Sequence, residues 1–357
     1  MKADLASVAM ESEPAVELRP ASHCEEHPDA RMKLRYGFNE TLGWRPFALG
    51  PGREQIWARL RDVQTGIVRI FAFAQYTPDP ATEWESFAAY VQAVLNAGAV
   101  PMVTFVNLPQ PFHDPGSVVQ VAGLCGSLVA KCVDLWGGDA VSDWAWSVGN
   151  KPNSAWITGA MTFDNYRRIY EEVAQAIRSR LDPFLAQRRP MIGGPSVDGF
   201  QPFWMDWIWR FVNEIDNSLI GFVAWNRYGD WRQPGDCGAP ADELIFRRLL
   251  MSRTPEYERR AQSIARALKG RGLLNICSEL NAHAHHEPSV SAPFNRTTFG
   301  AAYYGSALIH LMRGGADAEM LWTGTDDSSC YGAMDQHGWP TPVYHAKRLC
   351  AAHVRYG

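Results

Sequence analysis

The chain is poor in cysteine, balanced in charge and free of long apolar runs, and each lack removes a class of protein. Seven Cys occur in 357 residues, with no C-x-x-C among them. An odd count without metal-type spacing argues against a disulfide scaffold or a zinc module and is read as reduced, mostly buried thiols of a cytosolic protein. Cys125 and Cys132, seven positions apart, suit one face of a helix. Lys plus Arg number 34 against 38 Asp plus Glu, a net charge of -4, which argues against a protein held to nucleic acid by phosphate contacts. No stretch is read as approaching the ~20 apolar residues of a membrane span. The opening MKADLASVAMESEPAVELRP places acids and a Pro where an export signal needs an apolar core. The expectation is a soluble, cytoplasmic chain with neither a nucleic-acid nor a membrane partner; its oligomeric state is not legible. No internal repeat of 20 to 50 residues is visible.

Aromatic residues are plentiful: 14 Trp, 16 Phe and 12 Tyr. Their flat faces either fill a large core or stack on the apolar C–H faces of sugar rings. With 46% hydrophobic and 20% charged residues the composition is globular.

From residue 34 on, short β-rich runs alternate with longer amphipathic stretches, the α/β pattern. Eight strands are expected, at 34–39, 66–73, 100–106, 143–149, 190–195, 219–226, 273–279 and 318–324. Helical periodicity lies between them, notably over 87–98 (ended by Gly98), 163–183 (stopped before Pro183), 255–272 and 299–315. A doubly wound open sheet usually carries G-x-G-x-x-G after its first strand; here that strand runs into Asn39, Glu40 and Thr41. We therefore expect a single (β/α)₈ barrel over 34–357, preceded by an extension or cap over 1–33, with the site at the C-terminal ends of the strands.

Two segments carry the chemistry. The fourth strand reads Trp144-Ala-Trp146-Ser-Val-Gly-Asn150-Lys151-Pro152-Asn153, an apolar run breaking into a polar end. The seventh reads Ile276-Cys-Ser-Glu279-Leu-Asn281, an apolar run ending in a carboxylate. Strands four and seven of a barrel end on one face, so Lys151 and Glu279 converge although 279 − 151 = 128 positions separate them.

These segments resemble the glycoside hydrolases of clan A, most closely family 39 and its relatives. Members carry a W-x-x-G-N-E-P-N-type sequence at strand four, whose Glu is the acid/base, and a second Glu, the nucleophile, ending strand seven. The likeness extends over most of 34–357, including YGAMDQHGWPTPVYHAKRL at 331–349. It implies retaining hydrolysis of a β-linked glycoside with no cofactor and no metal, Glu279 as nucleophile, Asn150 on the sugar 2-hydroxyl, Arg69 and Trp322 on the ligand side, and Tyr228 bonded to the nucleophile. Asn39, Glu40 and Asn281 complete the expected ligand-binding set.

The departure is Lys151, which stands where the resemblance expects the acid/base Glu. A retaining pair needs two carboxyl groups about 5–5.5 Å apart. A Lys near its reference pKa of about 10.4 is a poor acid at neutral pH and no base while charged. Facing Glu279 it should form an ion pair that keeps the carboxylate ionised and less nucleophilic. Three readings stay open: a hydrolase impaired by a Glu-to-Lys change; a non-hydrolytic protein that binds or modifies a sugar-bearing metabolite; or a Lys151 that forms a Schiff base with an open-chain sugar. Glu40 and Asp198, then Asp230, Glu287, Asp326 and Asp327, are the candidates for a substitute acid. His283, His285 and His286 read as a polar loop beside the pocket rather than a metal site, and His113 as a ligand contact from loop three.

Overall fold

The computed structural model describes residues 35–72, 80–106, 115–154 and 161–353. The expected extension at 1–33 and His113 lie outside these residues. Eight parallel strands close into a barrel in sequence order: β1 Arg35–Asn39, β2 Ile67–Ala72, β3 Val100–Phe105, β4 Ala145–Val148, β5 Ile192–Asp198, β6 Phe222–Asp230, β7 Leu274–His283 and β8 Ala318–Trp322, with β8 pairing back onto β1. The expected (β/α)₈ barrel is thus the architecture observed.

Alternation along each strand sorts side chains into two cores. Ile67, Met102, Ala145, Phe222, Ala224, Ile276, Ala318 and Met320 fill the barrel interior. Residues of the other parity, such as Phe38, Val68, Val103, Trp146, Val223, Trp225 and Leu321, pack outward beneath the helices. Both faces are packed, so the strands are mostly apolar, and polar residues gather toward their C-terminal ends; Asn275 and Glu319 are buried exceptions near the start of β7 and β8. Gly37 sits where a Cβ would meet Ile67 and Met320 at 2.8 Å, and Gly193 where it would strike the Phe222 carbonyl at 2.3 Å. At those two points the barrel closes too tightly for a side chain. Most of the tryptophans serve the core: Trp144 packs on Trp136 and Trp146, and Trp225 donates from its indole N–H to Asn275.

Three details differ from the sequence reading. Strands β5, β6 and β7 run on to Asp198, Asp230 and His283, three to four residues past their expected ends, because their polar C-terminal residues remain laddered to one another. Helix Phe163–Leu185 continues through Pro183, which falls in its last turn and forgoes the one bond its N–H would have given the Ser179 carbonyl. Finally, residues Gly116–Trp136, within helix Pro115–Trp136, are long and apolar enough to span a membrane by length and composition alone, contrary to the expectation of no such stretch. In the fold this helix buries Cys125, Val129 and Cys132 against the core, and the seven-residue spacing of the two cysteines follows from that one buried face.

Candidate active site

Strand alternation aims Asn39, Arg69, Thr104, Asn226, Tyr228 and Trp322 inward above the apolar interior. Arg69 takes the centre and is wholly buried. Its Nε donates to Thr104 Oγ1 at 2.8 Å, Nη2 to Asn150 Oδ1 at 3.0 Å and Ser196 Oγ at 3.4 Å, and Nη1 to Asn39 Oδ1 at 3.4 Å and Glu279 Oε1 at 2.9 Å. Four strands and the turn after β4 are tied to this one guanidinium, which orients the carboxylate at the barrel mouth.

Glu279 faces inward because β7 carries a bulge. Ile276 and Ser278 already point inward, so simple alternation would turn Glu279 out. The pairing with β6 advances from Trp225↔Cys277 to Asn226↔Glu279, and a matching shift occurs against β8. The extra residue, Ser278, uses its hydroxyl on Asn226 Oδ1 at 2.7 Å, and Glu279 is re-aimed into the mouth. A second bulge, between Pro195 and Val197, presents Ser196 to Arg69.

Lys151 arrives from the turn after β4. Its backbone is left-handed (φ 52°), follows Gly149 at φ 78°, and donates to the Ser196 carbonyl at 2.9 Å. A bulky residue there is uncommon and marks a backbone held by its surroundings. The ammonium lies 2.8 Å from Glu279 Oε2, with the Lys side chain 20% exposed and the Glu side chain fully buried. Tyr228 Oη donates to the same oxygen at 2.9 Å. The Lys151 ammonium also lies 5.6 Å from the ring centre of Tyr228 and 6.0 Å from that of Trp322, within cation–π range. Burial pushes the Glu279 carboxyl up, but Lys151, Arg69 and the hydrogen bonds from Lys151 and Tyr228 outweigh it and hold the group below its ordinary range. Two cations therefore surround one carboxylate.

The expected ligand residues divide. Asn150 joins the Arg69 network and also accepts from Asn226 Nδ2 at 3.2 Å. Trp322, 8% exposed, lies between Phe71 and Tyr331. Asn39 and Asn281 are instead occupied within the protein: Asn39 Nδ2 donates to Ser278 O at 3.0 Å, while Asn281 Nδ2 donates to the Trp322 carbonyl and its Oδ1 accepts from Ala282 N. Glu40 is fully buried and accepts from both the amide and the hydroxyl of Thr325. Burial pushes its carboxyl up to about 8 against those bonds, with Asp326 adding to the rise.

Three of the other candidate acids, Asp198, Asp230 and Asp326, hold backbone or arginines. Asp198 caps Phe200 N at 2.9 Å, and Asp326 accepts from Ser328 N and Tyr331 N. Asp230 is clamped by Arg232 and Arg253 at 2.8 and 2.7 Å. Glu287 precedes helix Pro288–Asn295, and Asp327 is exposed. Both ring nitrogens of His283 are engaged, Nε2 with the Arg232 carbonyl and Nδ1 with the His285 amide. His286 Nδ1 meets Tyr331 Oη at 3.2 Å. The sequence reading missed Thr104, Ser196 and Asn226. Thr104 and Asn226 show the inward parity of a strand end, a signal available in principle; Ser196 depends on its bulge.

The fold and its site define the class first: a (β/α)₈ barrel with a carboxylate at the end of strand seven. No protein-family model matches the chain. A curated β-xylosidase of Caldicellulosiruptor saccharolyticus is 22% identical over 287 residues, covering 72% of this chain and 54% of the relative. The chain thus spans about half the length of that relative. Among solved structures, a monomeric β-xylosidase from Caulobacter crescentus CB15 superposes with a TM-score of 0.66 at 17% identity, over 91% of this chain and 68% of its own. A GH39 enzyme from Xanthomonas axonopodis pv. citri gives 0.63 at 17%, over 92% and 67%. An α-L-arabinofuranosidase from Thermotoga maritima gives 0.61 at 15%, over 90% and 71%. The solved neighbours establish the barrel as one shared with glycoside hydrolases.

Proposed function

We propose that this chain is a carbohydrate-binding protein on a retaining-glycosidase scaffold, with Glu279 in the nucleophile position and Lys151 in the acid/base position, and that it hydrolyses β-glycosides weakly or not at all in this form. The observation that carries the reading is the 2.8 Å contact between Lys151 Nζ and Glu279 Oε2. It occupies the carboxylate with a charge-assisted bond and leaves the leaving-group side without an acid near neutral pH. Glu40, Asp198, Asp230 and Asp326, considered as substitutes, support the reading by being engaged with backbone or arginines. The Lys151–Glu279 ion pair also disfavours the Schiff-base reading, because a carboxylate partner stabilises the protonated amine.

A Glu at 151 would end one bond, about 1.5 Å, short of the Lys nitrogen. The two carboxyl groups would then stand about 4–5 Å apart, near the spacing of a retaining pair. The test is Lys151→Glu assayed on aryl β-glycosides, beside sugar binding to the unaltered protein by calorimetry. Hydrolysis that appears in the variant supports an impaired hydrolase. Sugar binding without any gain supports the non-hydrolytic alternative. A chain that neither binds sugars nor gains activity defeats both.

A further inference from the structure

A cavity of about 450 Å³ lies beside the C-terminal ends of β5 and β6 and is lined by Phe200, Arg227, Asp230, Trp231, Arg232, Cys237, Arg253 and Glu256. It does not include Lys151, Glu279 or Arg69. Because Asn226 and Tyr228 point into the barrel, Arg227 between them points out, toward the helix Pro255–Leu268 that carries Glu256. Phe200 forms the partition: its ring lies 4.8 Å from the Arg227 guanidinium carbon, while on its other side it packs with the aromatic cluster of Tyr228, Trp322 and Tyr331.

The charges here do not cancel. Arg227, Arg232 and Arg253 line the cavity, and Arg260 stands behind Arg227; among the described lining residues Asp230 and Glu256 oppose them. Both acids are already engaged. Asp230 accepts from Arg232, Arg253 and the amides of Trp231 and Arg232, and these contacts overcome burial to hold its carboxyl down at about 2. Glu256 lies 2.7 Å from Arg227 and 3.6 Å from Arg260. Donors remain in excess. A guanidinium has five N–H groups; among the described residues Arg227 uses one, on Glu256, and Arg253 uses two, on Gly229 O and Asp230. Arg260 Nη1 is buried with no hydrogen-bond partner. Half-buried guanidinium charge in excess of its carboxylates is costly unless an anion joins it, and forked N–H donors match the oxygens of carboxylate, sulfate or phosphate.

We propose that this cavity is an oxyanion-binding site, separate from the Lys151–Glu279 site, that takes the carboxylate, sulfate or phosphate of a small ligand between Arg227, Arg232 and Arg253. Trp231, 51% exposed at its edge, supplies a face on which a ring attached to that anion can stack. The proposal stands whether or not the chain cleaves glycosides.

The test uses the full chain. Thermal unfolding and calorimetry with sodium phosphate are compared with sodium chloride at matched ionic strength. Phosphate is expected to raise the midpoint beyond chloride, and Arg227→Gln and Arg232→Gln each to weaken binding at least tenfold. Glu279→Gln should leave it unchanged. A wild-type protein that responds to phosphate no more than to chloride overturns the proposal, as does a response that persists in folded Arg227→Gln and Arg232→Gln. Should Arg227→Gln not fold, the wild-type measurement and Arg232→Gln decide it. Glucuronate and glucose added as further probes separate the sources. Glucuronate binding more tightly than phosphate, with loss in Trp231→Ala, assigns the anion to a sugar, whereas phosphate binding more tightly and insensitive to Trp231→Ala assigns a free anion.

Discussion

Two lysine–glutamate pairs, one closed and one open to the barrel mouth, behave in opposite ways. Lys347 and Glu319 meet between the outer wall of β8 and the helix Pro342–His353, both side chains wholly buried. Tyr304 Oη and the Gly37 amide add bonds to the same Glu319 oxygen, Oε1, and Lys347 lies over the rings of Phe38 and Tyr304 at 4.5 and 5.1 Å. One charge of each sign is present, and burial dominates: the Glu319 carboxyl is pushed up and the Lys347 ammonium down, each toward its neutral form. At the mouth, Lys151 and Glu279 share their place with Arg69, and there Glu279 is pushed down despite complete burial. The closed pair fastens a helix to the barrel. The open pair keeps a surplus of positive charge and an ionised carboxylate at the barrel mouth, an arrangement that packing alone does not require. Glu40 extends the contrast: a buried carboxylate held by neutral Thr325 donors, with its pKa pushed up to about 8.

The largest way to sharpen this contrast is to change the open pair. Lys151→Glu is expected to raise hydrolysis of an aryl β-glycoside by about 10²–10⁴-fold, the usual yield of a positioned acid/base. The same rate in variant and parent would sink the impaired-hydrolase reading. Breaking the closed pair should cost structure instead. Glu319→Ala or Lys347→Ala is expected to destabilise by about 3–5 kcal/mol in urea unfolding, because either leaves an unpaired buried charge. The double replacement Glu319→Leu with Lys347→Met should recover most of that loss; a double variant as weak as the singles would argue against the pairing as the cause.

Smaller effects separate the two regions further. Lys151→Met should cost only about 1–2 kcal/mol, since Arg69 still holds Glu279 and the Lys side chain is partly exposed. A loss as large as that at Lys347 would show the mouth to be as much a structural device as the closed pair. The pH dependence gives the finest test. Glu279, with its pKa lowered on folding, contributes stability that is present above the unfolded carboxylate range and lost as pH falls through its folded pKa. Glu40, raised to about 8, has the reverse sign. Between about 4.5 and about 8 the folded chain binds the extra proton, so stability falls as pH rises, by at most about 1.4 kcal/mol per pH unit. Glu40→Gln should flatten that slope in chemical denaturation profiles, and a slope that survives the substitution would place its origin elsewhere.

Much of this was legible in the chain because strand alternation and helical spacing are local. Eight apolar runs with polar ends announced the barrel, and the polar ends of the fourth and seventh announced its mouth. Within the site, Arg69 and Tyr228 point inward as their strand positions suggested, and Asn150 joins them from the turn after β4. Asn39, Glu40 and Asn281 were less legible, since a polar side chain at a strand end can face a ligand or tie neighbouring strands, and residue type does not distinguish the two. Arg227 and Arg253, 26 positions apart (253 − 227), form a cavity that no motif announced.

Patterning along the chain was thus sufficient for the architecture and for the kinds of group around its mouth, since burying apolar faces leaves few ways to arrange eight such units. It could not settle which way Glu279 points or what it touches. Alternation alone would turn that carboxylate outward. The slip of β7 against both neighbours turns it in, and pairing register belongs to strands held side by side rather than to any one of them.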